Sequence, residues 1–239
     1  MQIKISNLSK QFGNKTALDD VNLEINSGMF GLLGRNGAGK TTLMRILTTL
    51  LTKTSGDITI CDIPIEKSRD IRKIVGYLPQ DFSMYPNMTV YEAMDYLGVL
   101  SEIPSRKRKG IVLELLDKVN LYDCQKVRIK ALSGGMKRRL GIAQAIMHDP
   151  KVIIVDEPTA GLDPEERMRF KNLLSDISKD KIVILSTHII EDIEETCENV
   201  AILNNGKVIY NGKTEKLSTL DSKNTTILGG YMKVMGGEV

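Results

Sequence analysis

The segment that points most directly to an architecture reads Gly34-Arg35-Asn36-Gly37-Ala38-Gly39-Lys40-Thr41. It matches the pattern GxxxxGK[ST] and lies between an apolar run at 29–33, which predicts a buried strand, and apolar residues at helical spacing from 43 to 51. Strand, glycine-rich loop and helix in this order predict a phosphate-binding P-loop. A plain glycine turn before a helix is the alternative, which the strand context and the intact Lys-Thr pair disfavour.

The residue types of this loop suit a nucleotide polyphosphate. Glycines let backbone N–H groups curl around phosphate oxygens, and the following helix presents its positive end to the anion. Lys40 can reach the β- and γ-phosphates, and the hydroxyl group of Thr41 can ligate Mg²⁺. We therefore predict that residues 34–41 and Thr42 bind the phosphates of ATP, and that Lys40 also takes part in catalysis.

A second predicted strand, at 152–155, runs directly into Asp156 and Glu157. Open α/β sheets bind ligands at the carboxyl ends of their strands, so Asp156 is placed to hold Mg²⁺. Glu157 is placed to act as a general base on an attacking water. Taken alone, the pair is equally well interpreted as two exposed acids in a turn before Pro158, and the P-loop favours the functional interpretation.

Two kinds of apolar pattern surround this centre. Alternating apolar residues between Ile3 and Ile25 predict antiparallel strands. Further along, apolar strands at 152–155 and 182–185 enclose an amphipathic helix at 164–179. Continuous apolar strands that alternate with helices predict a parallel sheet covered on both faces.

The middle and the end of the chain differ from this core. Residues of about 82–147 carry a mainly helical pattern, which predicts an inserted helical subdomain. Asn205-Gly206 between two apolar runs predicts a β-hairpin. Residues 1–215 are therefore assigned to one domain, and the polar, glycine-rich tail at 216–239 is predicted to be loosely ordered.

The composition is that of an ordinary soluble globular protein, with 239 residues, 41% hydrophobic and 26% charged. A net charge of +3 is too small to argue for nucleic acid, and no nucleic-acid partner is expected. Three dispersed cysteines predict neither a disulfide framework nor a metal site. The sequence shows no signal peptide and no apolar run of the ~20 residues that span a bilayer. If the protein serves a membrane process, we expect another chain to supply the membrane path.

A further segment, Leu132-Ser133-Gly134-Gly135-Met136, resembles the LSGG signature of the ABC (ATP-binding cassette) ATPase family. The resemblance covers about residues 3–215 and implies a P-loop NTPase (RecA-like) core with an N-terminal antiparallel β subdomain and an inserted α-helical subdomain. Met136 and Arg35 depart from the family's usual glutamine and proline. Other family motifs follow in the family's order: the adenine-stacking aromatic (Phe12), the Q-loop glutamine (Gln80), the D-loop aspartate (Asp163) and the switch histidine (His188).

The resemblance implies a role for each of these residues. Ser133, Gly135 and Asp163 would act on bound ATP across a subunit interface. Gln80 would contact Mg²⁺ and take part in catalysis, and His188 would stabilise the charge that develops on the γ-phosphate. Alternatives without a function in catalysis stay open for four of these residues. Ser133 is then a helix N-cap, His188 a structural or surface residue, Phe12 a core or surface aromatic, and Gln80 a solvated loop residue.

The resemblance also implies partners. One P-loop and one LSGG segment need a second copy or a related subunit, with a homodimer expected, and a separate membrane permease for export. The chain would then lie in the cytoplasm, peripheral on the inner face of the cell membrane. A soluble ABC ATPase is the alternative, although such proteins usually carry two cassettes or a long coiled-coil insertion. Apolar residues after Gln80 predict either a groove for the permease or internal packing: Phe82, Met84, Tyr85 and Met88.

Overall fold

The computed structural model describes residues 1–221 and 225–236. Its strands are β1 (Gln2–Phe12), β2 (Lys15–Asn26), β3 (Gly28–Leu33), β4 (Ser55–Ile60), β5 (Ile63–Pro64), β6 (Val75–Leu78), β7 (Val152–Asp156), β8 (Ile182–Thr187), β9 (Asn199–Asn204) and β10 (Lys207–Lys213). Its α-helices are α1 (Lys40–Leu47), α2 (Ser68–Ile74), α3 (Val90–Leu100), α4 (Ser105–Lys118), α5 (Gly134–Ala145), α6 (Pro164–Ser178), α7 (Ile190–Thr196), α8 (Thr214–Ser218) and α9 (Ile227–Val234).

Among the described residues, the strands form two sheets. The first is antiparallel, with strand order β2-β1-β4-β5. The second has the order β10-β9-β3-β8-β7-β6, and its strands are parallel except for β10, which pairs antiparallel with β9 through the predicted hairpin. The α/β fold class, with its antiparallel subdomain, is confirmed.

Side-chain alternation along the core strands divides the interior into two apolar layers. Ile153 and Val155 of β7 pack in the layer that includes Phe170 of α6 and the helices of the middle segment. Val152 and Ile154 point to the opposite face, toward α1 and the antiparallel sheet. Because both faces are covered, β7 is buried along its whole length, and its carboxyl end opens where the polar residues begin.

The C-terminal tail contradicts the prediction of loose order. α9 packs against α8, with Ile227 and Tyr231 buried at helical spacing. Gly230 lets α9 approach the carbonyl group of Leu217 so closely that a Cβ at that position would lie 1.8 Å from the oxygen. Gly230, which we interpreted as part of a flexible tail, is thus a packing position, and the prediction of loose order is wrong for α9. Residues 222–224 and 237–239 lie outside the described part of the chain.

No helix in the described ranges combines the length and the apolar character that crossing a bilayer demands.

Candidate active site

The predicted P-loop joins the end of β3 to the start of α1. Gly39 precedes α1 with φ 111°, a left-handed conformation that favours glycine, and a Cβ there would lie 2.7 Å from the carbonyl oxygen of Ala17. The loop is braced from behind, because the N–H of Gly206 donates to the carbonyl oxygen of Ala38 at 2.9 Å. The hairpin between β9 and β10 therefore supports the loop.

A cavity of about 670 Å³ opens over this loop. It brings predicted residues from four separate parts of the chain together. Its lining comprises Phe12, Lys15, Thr16, Ala17, Arg35, Asn36, Gly37, Gly39, Lys40, Thr41, Thr42, Gln80, Glu157, Asn205 and Gly206. Five lining residues were not predicted as site residues, because the sequence marks them only as strand and turn residues: Lys15, Thr16, Ala17, Asn205 and Gly206.

Lys40 is buried and its ammonium group folds back onto the loop. Its Nζ lies 2.5 Å from the carbonyl oxygen of Gly34 and 3.3 Å from that of Arg35. A third contact, at 3.2 Å, is an ion pair with Oε1 of Glu157. The cation is therefore neutralised by the carboxylate that the sequence assigns as general base.

Glu157 also contacts His188. Nδ1 of His188 lies 2.7 Å from Oε2 of Glu157, and the histidine side chain is 46% exposed while that of Glu157 is 6% exposed. Glu157 has φ 49°, and its N–H donates to the carbonyl oxygen of Ser186 at 3.0 Å. The structure thus places both residues in one cluster with Lys40, at the carboxyl ends of β7 and β8.

Asp156 provides an acidic site next to Thr41. It is fully buried, and neither of its carboxylate oxygens has a hydrogen-bond partner among the described residues. Burial raises the pKa of Asp156, and the nearby hydroxyl groups of Thr41 and Ser186 offset this only in part. An unpartnered buried carboxylate beside a hydroxyl group fits a divalent cation, which prefers oxygen ligands.

Phe12 and Gln80 both line the cavity. Phe12 is 47% exposed, and the ammonium group of Lys10 lies 4.8 Å from its ring centroid. This exposure excludes the alternative that Phe12 is an aromatic residue of the hydrophobic core. Gln80 is exposed, and its backbone carbonyl oxygen accepts a hydrogen bond from Arg138 of α5 at 2.6 Å. Arg138 was not singled out from the sequence, since its neighbours give no signal for that contact.

Seven predicted residues do not line the cavity. Gly34 and Ala38 belong to the loop itself, and Asp156 and His188 contact residues of the lining. The other three are Ser133, Gly135 and Asp163. Ser133 is exposed and is the N-cap of α5, accepting from the N–H of Met136 at 3.2 Å. Asp163 caps α6 in the same way, accepting from the N–H of Glu166 at 2.9 Å. Gly135 is buried against the side chain of Glu166. The capping alternative for Ser133 is therefore correct as a structural role, and one chain does not bring these residues to its own P-loop.

Comparison with known proteins is consistent across sequence and structure. The model of the family described as ABC transporter matches residues 18–160. The uncharacterised ABC transporter ATP-binding protein YxlF of Bacillus subtilis is 37% identical over 235 residues, which are 98% of this chain and 78% of that protein. The Nod factor export ATP-binding protein I of Bradyrhizobium diazoefficiens is 36% identical over 220 residues, which are 91% of this chain and 72% of that protein.

A solved structure agrees with these relatives. It is described as the dimeric, post-hydrolysis state of an ATP-binding cassette bound to ADP and Pi. It aligns with a TM-score of 0.79 at 27% identity, covering 88% of this chain and 98% of the other. The likeness extends over nearly the whole of that protein, so it concerns the complete cassette fold and not the P-loop alone.

Proposed function

The chain belongs to the ABC transporter family, as an ATP-binding and ATP-hydrolysing subunit, and from that premise we propose that it works as a dimer that energises export through a separate permease. The observation that carries the dimer is the position of Ser133, which is exposed and lies outside the cavity that holds Lys40. A complete site then takes its P-loop from one subunit and its LSGG segment from the other.

Within each site, different residues bind the nucleotide, hold the metal and carry out hydrolysis. The P-loop N–H groups and Lys40 hold the phosphates, and the exposed ring of Phe12 stacks on the adenine. Asp156 and Thr41, together with Gln80 of the same cavity, would hold Mg²⁺, which would supply charge neutralisation on the phosphates. Glu157 accepts a proton from the attacking water, and His188 stabilises the developing charge. Asp163 contributes from the facing subunit.

Substituting Ser133 tests the dimer. Ser133→Ala is expected to weaken dimerisation induced by a non-hydrolysable ATP analogue by about tenfold or more, because hydrogen bonds to a charged phosphate contribute roughly 1.5–3 kcal/mol each. Binding of the analogue to the monomer should stay unchanged, since Ser133 does not line the cavity. Sedimentation velocity measures the first quantity and equilibrium titration the second.

The matched control is Thr89→Ala. Thr89 is the N-cap of α3 in the same helical segment, so both changes remove one cap at a cost of about 1 kcal/mol. Only the Ser133 variant should lose dimer. Equal dimerisation of the two variants would contradict the shared site.

Exposed apolar residues near a second cavity support a membrane partner. This cavity, of about 650 Å³, lies between the core and α3, and its lining includes Leu50 and Leu100, which are 64% and 60% exposed. Apolar side chains left exposed beside a groove are typical of an interaction surface. Of the four apolar residues predicted for this role, Phe82, Met84 and Met88 pack mainly against the core, and Tyr85 stays exposed.

Purification from detergent-solubilised membranes tests the partner. A tagged chain is expected to retain a polytopic membrane protein and to leave the membrane fraction only with it. Leu50→Lys with Leu100→Lys should release the chain into the soluble fraction without changing its ATP affinity, because neither residue lines the nucleotide cavity. Recovery of the unaltered chain alone would favour a soluble, non-transport role.

A further inference from the structure

A single buried carboxylate joins the two chain segments that carry Glu157 and His188. Asp192 lies in the first turn of α7 and is fully buried. Its Oδ2 accepts hydrogen bonds from the hydroxyl group of Thr159 and, at 3.4 Å, from that of Thr187. Thr159 follows Glu157 by two residues, and Thr187 directly precedes His188. One side chain therefore holds both segments.

The other oxygen of Asp192 anchors this network to α6. Nζ of Lys171 lies 2.9 Å from Oδ1 of Asp192 and 2.7 Å from Oε2 of the exposed Glu195. Burial lowers the pKa of Lys171, but the two carboxylates outweigh burial, so the net pKa is raised and the amine stays protonated. A buried pair of this kind is weak evidence for stability, and fixing a specific geometry is the role that remains for it here.

The backbone next to His188 is hydrogen-bonded to this network. The side chain of His188 is half exposed and is held at Nδ1 by Glu157. The backbone beside it is fixed more firmly, because the buried hydroxyl group of Thr187 accepts from the N–H of Ile189 at 3.0 Å and donates to Asp192. The Glu157–His188 contact therefore lies between two anchored threonines.

We propose that Asp192 is a positioning residue for ATP hydrolysis, which sets the separation between the Glu157 carboxylate and the His188 ring through Thr159 and Thr187. The proposal rests on the role given to Glu157 above. A purely structural Asp192 would affect the stability of the fold and leave the turnover of the folded enzyme alone. A positioning role lowers turnover, because a displacement of about 1 Å at a catalytic pair costs on the order of 100-fold.

Removing the two hydroxyl groups tests the proposal with little change in shape. Valine matches threonine in shape, whereas serine keeps the hydroxyl group. Thr159→Val with Thr187→Val is expected to lower kcat about 10–100-fold with KM for ATP unchanged, because neither residue lines the nucleotide cavity. Thr159→Ser with Thr187→Ser should keep most of the turnover. Glu195→Gln, which removes only the exposed partner of Lys171, should keep the wild-type rate.

Two results overturn the proposal. One is wild-type kcat in the double valine variant, whatever its melting temperature. The other is an equal loss in the double serine variant, since the hydroxyl groups would then not be the cause. If the double valine variant does not fold, Thr187→Val alone removes the longer bond and is judged by the same two criteria.

Combining these changes with Glu157→Gln separates this proposal from the function on which it rests. If the threonines act through the Glu157–His188 pair, adding both valines to a variant that carries Glu157→Gln and His188→Ala lowers kcat no further. A further loss overturns the positioning role. Failure of the base assignment shows itself differently, as a wild-type rate for Glu157→Gln without the valines.

Discussion

Glu157→Gln should lower kcat for ATP hydrolysis by about 10²–10⁴-fold while ATP still binds, because the amide keeps the shape of the side chain but cannot accept the proton. The ion pair between Glu157 and Lys40 adds a prediction about ATP affinity. In the wild type, ATP must displace Glu157 from the lysine, and the carboxylate that is released is the base that hydrolysis needs. In the variant a weaker hydrogen bond to a neutral amide replaces the ion pair, so its ATP affinity should equal or exceed that of the wild type, and its ATP-bound dimer should accumulate.

Steady-state hydrolysis, equilibrium binding and sedimentation velocity measure these three quantities. Glu165→Gln is the matched control, because Glu165 is an exposed carboxylate of α6 that pairs with Arg169 outside the cavity. It should behave as the wild type in every respect. Wild-type turnover in Glu157→Gln would refute the base assignment and direct the search to another proton acceptor.

Asp156→Asn should abolish most of the activity and stabilise the protein at the same time. Activity should fall at least about 100-fold, since a ligand of the metal is lost and several kcal/mol of charge stabilisation depend on it. Stability should rise because the neutral amide replaces a buried carboxylate without hydrogen-bond partners. A gain of ~1 kcal/mol raises Tm by about 2–4 °C in a domain of this size.

The gain in Tm should depend on pH. Burial raises the pKa of Asp156, so the folded chain holds that proton more tightly than the unfolded chain. The resulting stability is present below the ordinary pKa and is lost as the pH rises through the folded value. Calorimetry should therefore show a larger difference between Asp156→Asn and the wild type at about pH 8 than at a pH below ~3.9, the ordinary pKa of an aspartate, where the side chains of both proteins are mostly neutral.

Asp123→Asn, at an exposed position, is the control and should alter neither activity nor Tm. A destabilised Asp156→Asn variant at neutral pH would contradict the unpartnered carboxylate. Addition of Mg²⁺ with ATP should raise Tm of the wild type more than that of the variant.

Elements with a strong local pattern were predictable from the sequence. The strand at 152–155, the hairpin at Asn205-Gly206 and the P-loop each depend on a short run of residues, and each is where the pattern indicates. β6 was missed because it is only Val75–Leu78 and contains Gly76, which sequence patterns score against a strand. That glycine is required by packing, since a Cβ would lie 2.0 Å from the carbonyl oxygen of Ala145.

In the candidate site, too, some residues were predictable from the sequence and others were not. Lys40, Asp156 and Glu157 were found because each ends or begins a patterned element. Their mutual contacts were not predictable, because the Lys40–Glu157 pair joins residues far apart in the chain. Asp192 gave no signal at all, since an acid in the first turn of a helix is ordinarily a surface residue, and only the fold reveals its burial.

The position of β3 has a consequence for how the protein is made. Its neighbours in the sheet are β8 and β9, which the ribosome adds about 150 residues after the P-loop strand has emerged. At roughly 5–20 residues per second, that delay is about 8–30 s. Throughout this interval β3 is an apolar strand without its pairing strands, and it needs protection from aggregation. The loop also lacks the hydrogen bond from Gly206 that braces it. Translation that stops before this hairpin therefore yields a chain with the whole P-loop sequence but without Asn205 and Gly206, which line the nucleotide cavity and support the loop.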